Sequence, residues 1–80
     1  MRSEIFQKVQ QLIAANNHIP LPGITMDSSF EELHMDSLDA LSLINDLEQA
    51  YDISIPNQDA IKIRTVRDAV ENLEKLLVLQ

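Results

Sequence analysis

From Asp36 to Tyr51 apolar residues recur at helical spacing behind an Asp-Ser-Leu-Asp opening, and this run constrains what the rest of the chain can become. Leu43, Ile44, Leu47, Ala50 and Tyr51 fall on one stripe, so the spacing predicts a helix over Ser37–Tyr51 that must bury one face. Asp36 stands where a carboxylate accepts the free amide hydrogens of a first turn, and Asp39 completes a capping box three residues on. A serine at the first helical position places its hydroxyl at the helix mouth, beside unpaired N–H groups and the positive end of the macrodipole. Ser37 is therefore a point suited to covalent attachment, and a phosphodiester there would be electrostatically favoured. Leu38 and Leu41, together with Asp39 and Glu48, lie toward the exposed side of the same helix.

The stripe needs partners, and two other segments supply them. Ile5, Phe6, Val9, Leu12 and Ile13 form a first amphipathic helix, with Ser3 as its cap and Asn16-Asn17 as its end. Val66, Ala69, Val70, Leu73, Leu76 and Leu77 form a last one, capped by Thr65 with Asp68 as the reciprocal partner. From His18 to Glu32 the periodicity stops at Pro20, Pro22 and Gly23, which reads as a long loop pinned by Ile19, Leu21, Ile24, Phe30 and Leu33, with a short helical turn over Ser28 to Leu33. Ile53-Ser54-Ile55-Pro56 is too short to build a sheet and reads as an extended connector whose isoleucines plug the core; Asn57 caps a brief helix from Gln58 to Lys62. The expected fold is all-α, a small bundle of three main helices and a short fourth, with a long loop between the first and second.

Eighty residues make a single domain near the lower size at which a chain folds without staples. Cysteine is absent, which excludes disulfides and a catalytic thiol, so any thiol chemistry has to come with a cofactor. The amphipathic start and the lack of a membrane-length apolar run point to a cytoplasmic protein without membrane insertion. The net charge is −7, and no Lys or Arg occurs between Val9 and Ile61, where Asp27, Glu31, Glu32, Asp36, Asp39, Asp46, Glu48, Asp52 and Asp59 all fall. Such a centre repels nucleic acid and anionic lipid and attracts partners that carry basic patches.

Two catalytic readings fail on the same residues. His34 lies close to Ser37, but there is no Gly-x-Ser-x-Gly elbow and no carboxylate identified to orient the imidazole, so no catalytic residue is assigned. The acids form no Asp-x-Asp-x-Asp-Gly loop, and with two histidines and no thiol no metal site is assigned either.

Asp36-Ser37-Leu38, with acids and leucines following at helical spacing, resembles the acyl carrier protein family. Ser29-Phe30-Glu31-Glu32-Leu33, Tyr51-Asp52-Ile53-Ser54-Ile55-Pro56 and Ile63-Arg64-Thr65-Val66-Arg67-Asp68-Ala69-Val70 resemble its pattern in the right order, so the likeness covers most of residues 1–80 as one carrier domain. The resemblance implies that Ser37 bears a covalent 4′-phosphopantetheine taken from coenzyme A by a separate phosphopantetheinyl transferase. It further implies a monomeric carrier rather than an enzyme, which presents thioester-bound acyl groups to acyl-transferring or condensing enzymes of fatty-acid, lipid or polyketide-type biosynthesis. Asp36, Leu38, Asp39, Leu41 and Glu48 would be the residues those partners recognise. An aminoacyl or peptidyl carrier is the near alternative, and an unmodified acidic helical adaptor the distant one. The chain also departs from the family pattern. His34 stands where carriers commonly have glycine, Ser42, Asn45 and Gln49 replace acids or a bulky apolar residue of many fatty-acid carriers, and Phe30 to Ser37 is one residue shorter; together these imply a specialised carrier.

Overall fold

The computed structural model of the chain describes residues 2–78, with four α-helices: α1 (Arg2–Asn17), α2 (Ser37–Tyr51), α3 (Asn57–Ala60) and α4 (Val66–Val78). A 3₁₀ turn at Leu21–Gly23 interrupts the long loop. The all-α expectation holds. α1 packs on both α4 and α2, presenting Ile5, Val9 and Ile13 to a core completed by Leu43, Ile44 and Leu47 of α2 and by Val66, Ala69, Val70 and Leu73 of α4. Each set recurs at three and four residues, the periodicity that puts side chains on one helical stripe.

Helix ends explain most of the differences from expectation. Ser3 is already inside α1 and does not cap it, whereas Asn16-Asn17 do end it: the Asn17 amide donates to the Ile13 carbonyl at 3.2 Å, and His18 turns the chain into the left-handed region at φ 56°. Ala50, expected in the core, is exposed, at the edge of the stripe in the last turn of α2. α3 begins one residue early. Pro56 occupies the cap position without a side-chain hydrogen bond, Asn57 is the first helical residue, and the helix closes at Ala60 rather than Lys62, leaving a turn. A proline preset at φ −59° accounts for that start. At α4 the capping box is as expected: Thr65 Oγ1 accepts from the Asp68 N–H at 3.0 Å, and Asp68 Oδ2 accepts from the Thr65 N–H at 3.2 Å.

The long loop is held by contacts that periodicity cannot reveal. Gln10 of α1 donates to the carbonyls of Ile24 at 2.8 Å and Leu21 at 3.3 Å. Ile24 and Phe30 are buried and Ile19 and Leu33 pack against the core, but Leu21, in the proline-flanked turn, is 46% exposed and is tied down through its carbonyl rather than its side chain. Ser28–Ser29 then meets the start of α4, with Ser29 and Thr65 in an antiparallel pairing. The Val66 and Arg67 N–H groups donate to Ser28 O at 3.0 Å and Met26 O at 3.0 Å, so two amides of the first turn of α4, orphaned by helix geometry, find loop carbonyls. Arg67 pairs with Asp27 at 2.8 Å across the same seam. The expected turn after Ser28 is present, with Leu33 N–H on Ser29 O at 3.1 Å and Glu32 N–H on Ser29 Oγ at 3.0 Å.

At the other end of the bundle Arg2 pairs with Glu74 at 2.7 Å, tying α1 to α4. The hydrogen bond from the guanidinium holds the Glu74 carboxyl below its ordinary range and raises Arg2 in turn. Among the described residues, no helix is long and apolar enough to cross a membrane.

Candidate functional site

Four backbone features set Ser37 in place. Phe30 is buried, and its N–H donates to Arg64 O at 2.9 Å. The chain then turns, with the His34 N–H on Glu31 O at 3.0 Å and His34 itself in the left-handed region at φ 59°. Met35 drops back into the core, 7% exposed, and its N–H returns to Phe30 O at 2.9 Å. Asp36, in extended backbone at φ −89° and ψ −173°, then caps α2. Asp36 Oδ1 accepts from the Asp39 N–H at 2.9 Å while Asp39 Oδ2 accepts from the Asp36 N–H at 3.2 Å, so the expected box is reciprocal. Ser37 follows as the first residue of α2 and is exposed.

Met35 was absent from the sequence reading of the core. A local signal existed: an apolar residue just before an N-cap commonly packs against the fourth helical residue, and Met35 and Ala40 do line one hollow together with Ser37. His34 explains itself in the same terms. Glycine enters the left-handed region without penalty, so a histidine at that place carries a backbone cost of about 1–2 kcal/mol. His34→Gly is therefore expected to raise stability by about 0.5–1 kcal/mol after the flexibility glycine adds to the unfolded chain. Thermal unfolding would read this as a gain of roughly 2–8 °C. A fall in Tm would show that the imidazole makes a contact worth more than the strain.

The other site residues divide into exposed and committed groups. Leu38 is 73% and Leu41 58% exposed, as expected for the outer side of α2. Asp36 is exposed, but its carboxylate and that of Asp39 serve the cap. Glu48 is committed further still: its carboxylate accepts from the Ile55 N–H at 2.7 Å, holding the connector against α2 so that Ile55 is buried and Ile53 packs on the core. Its carbonyl also accepts from Asp52, left-handed at φ 53°, and from Ile53 at 3.0 Å, which closes α2. Glu48 is thus a structural acid as well as a charged one.

Beside Ser37 the surface is apolar. Leu41 and Ile44 of α2, Ala60 of α3, and Ile61 and Ile63 after it line a shallow hollow that has Ser37 on its rim. Ile61, 73% exposed, was not singled out in the sequence, because a lone isoleucine beyond a four-residue helix has no periodicity to mark it. A second, adjoining hollow that also includes Ser37 brings Phe30, Glu31, Met35 and Asp36 together with Arg64. Ser37 is thus an exposed hydroxyl at a capped helix start, with apolar and charged side chains beside it.

Comparison with known proteins identifies the family. Residues 7–73 match the family described as "Phosphopantetheine attachment site". The chain is 46% identical over 69 residues to an acyl carrier protein of Treponema denticola, covering 85% of this chain and 88% of that one. It is 42% identical over 71 residues to an acyl carrier protein of Rubrobacter xylanophilus, covering 88% of each. In fold it is similar to the crystal structure of an acyl carrier protein from Thermotoga maritima, with a TM-score of 0.87 at 24% identity over 98% of this chain and 92% of that one. The chain belongs to the acyl carrier protein family, whose domain carries a covalently attached 4′-phosphopantetheine.

Proposed function

We propose that Ser37 Oγ is the attachment point of the 4′-phosphopantetheine, that residues 1–80 act as a single carrier domain, and that a separate phosphopantetheinyl transferase installs the group from coenzyme A. The observation that carries this reading is the exposure of Ser37 at the first position of a reciprocally capped helix, in a chain with acyl carrier relatives. The group, when bound, supplies the terminal thiol on which acyl intermediates are held as thioesters for fatty-acid, lipid or polyketide-type enzymes. Everything else is done by the chain. Asp36 and Asp39 hold the helix mouth rigid, so the serine is offered to the transferase at a fixed place and angle. Leu41 and Ile61 offer an apolar surface to the part of the arm beyond its phosphate. Intact mass after incubation with coenzyme A and a broad-specificity transferase tests the reading. The expected result is one added phosphopantetheine per chain, and an unchanged mass would overturn it.

Partners in this reading dock on α2 through Asp36, Leu38, Asp39, Leu41 and Glu48, by way of basic patches that meet the acids. Exposed charge pairs contribute about 0.2–1 kcal/mol each and act mainly on encounter. The committed hydrogen bonds of Asp39 and Glu48 decide which variants are informative. Asp39→Asn and Glu48→Gln each keep an acceptor oxygen for the Asp36 or Ile55 amide while removing the charge. Each is expected to slow the transferase up to about fivefold at low salt and not at all in about 0.5 M salt. Equal rates at low salt would show that partners approach by another face.

A further inference from the structure

We propose that Arg64 receives the phosphodiester of the arm and so acts as a positioning residue that sets the direction in which the arm leaves the helix mouth. The inference rests on Ser37 being the attachment point.

A phosphodiester on Ser37 adds a negative charge to a neighbourhood that already holds Glu31, Asp36 and Asp39, in a sequence with no Lys or Arg between Val9 and Ile61. Arg64 is the cation that shares a hollow with Ser37. Its backbone is fixed on both sides: the Arg64 carbonyl accepts from Phe30 N–H at 2.9 Å, and its N–H donates to Asp68 Oδ2 at 3.1 Å. The Cα is therefore stationed at the rim, while the side chain is exposed. Among the described residues Arg2 and Arg67 are engaged in ion pairs and Arg64 is in none. Lys62, two residues earlier, lines a different hollow with Asp59, Asp68 and Lys75. Arg64 thus has an uncommitted planar fork of donors, the geometry that suits two phosphate oxygens at once. Glu31 and Asp36 line the same hollow, so the phosphodiester competes with their carboxylates for the fork, of which that of Asp36 already serves the cap.

The test compares apo and modified protein for the wild type, Arg64→Gln and Arg64→Lys, with the modified residue located by fragmentation of the intact chain. Both backbone anchors survive these substitutions. In the wild type the Arg64 Nε–Hε resonance is expected to move on modification and to return in about 0.5 M salt, while that of Arg67, paired with Asp27, stays in place. Modification is expected to lower Tm by about 1–5 °C more in Arg64→Gln than in the wild type, with Arg64→Lys recovering part of the difference. An unmoved Arg64 resonance, or equal apo-to-modified Tm changes in the wild type and Arg64→Gln, would overturn the role of Arg64 while leaving Ser37 modified. A label located at another residue would instead remove the attachment assignment and this inference together.

Discussion

Ser37→Ala is expected to abolish incorporation of phosphopantetheine altogether while leaving the fold intact. The loss is complete because no other hydroxyl shares the setting. Ser28 is buried with its Oγ accepting from Thr25 N–H at 3.0 Å, and the Ser29 Oγ accepts from Glu32 N–H at 3.0 Å. Ser42 and Ser54 are exposed, but neither follows an acid that caps a helix. The fold survives because the Asp36–Asp39 box does not use the Ser37 side chain, and alanine is a good helix former, so the stability change should stay within about 0.5 kcal/mol. Substitution localises the site better than trypsin does. With no Lys or Arg between Lys8 and Lys62, one tryptic peptide holds Ser28, Ser29, Ser37, Ser42 and Ser54 together. Intact mass of wild type and variant after identical treatment decides the matter, with circular dichroism as the check on folding. A mass increase that persists in Ser37→Ala would show that another residue carries the arm.

The second large effect separates two leucines of the same helix. Leu47 is 1% exposed in the hydrophobic core, and Leu41 is 58% exposed beside Ser37. Leu47→Ala is expected to cost about 2–5 kcal/mol, the usual penalty for lost burial plus a cavity that only partly closes. A domain of this size has about 4–12 kcal/mol in total, so the variant should lose roughly 10 °C or more in Tm and be partly unfolded at moderate urea. Leu41→Ala should change stability by no more than about 0.5 kcal/mol, since little apolar area leaves water there on folding. Its effect falls on docking: truncating an apolar anchor at an interface costs more than about 1 kcal/mol, a fivefold or greater loss of transferase kcat/KM that salt does not restore. The pair is measured by urea unfolding and by transferase rate at two ionic strengths. Equal destabilisation by the two substitutions would place Leu41 in the core and withdraw it from the docking face.

Much of this protein is local in origin, and the local part was legible in the chain. α2 and its cap follow from Asp36, Asp39 and a stripe of apolar residues, because a capping box closes within four residues and helical periodicity needs only the helix itself. The same holds for the Thr65–Asp68 box and the α4 stripe. The exposure of Leu38 and Leu41 followed from their place off that stripe. Ser37 as the candidate residue came from the same few positions, with the family resemblance supplying its chemistry.

Tertiary structure decided what joins distant positions. The seam between the loop at 26–30 and the chain at 64–67 pairs backbone groups 34 to 41 residues apart, and backbone amides and carbonyls leave no mark in residue identity. Glu48 looked like a surface acid until the connector folded back and placed the Ile55 amide on its carboxylate. Leu21 and Ala50 looked like core residues, and Asn57 like a cap, because apolar character and cap propensity are necessary for those roles without being sufficient; the neighbours that bury or bypass a residue belong to other elements. Arg64 is the furthest from the reach of sequence. Its charge could be read directly, but its station beside Ser37 exists only because the Phe30 N–H and the Asp68 carboxylate hold its backbone there. Local hydrogen bonds and helical stripes are decided by residues within a turn or two of one another, whereas burial and the meeting of charges depend on how separate elements pack, which no single segment encodes.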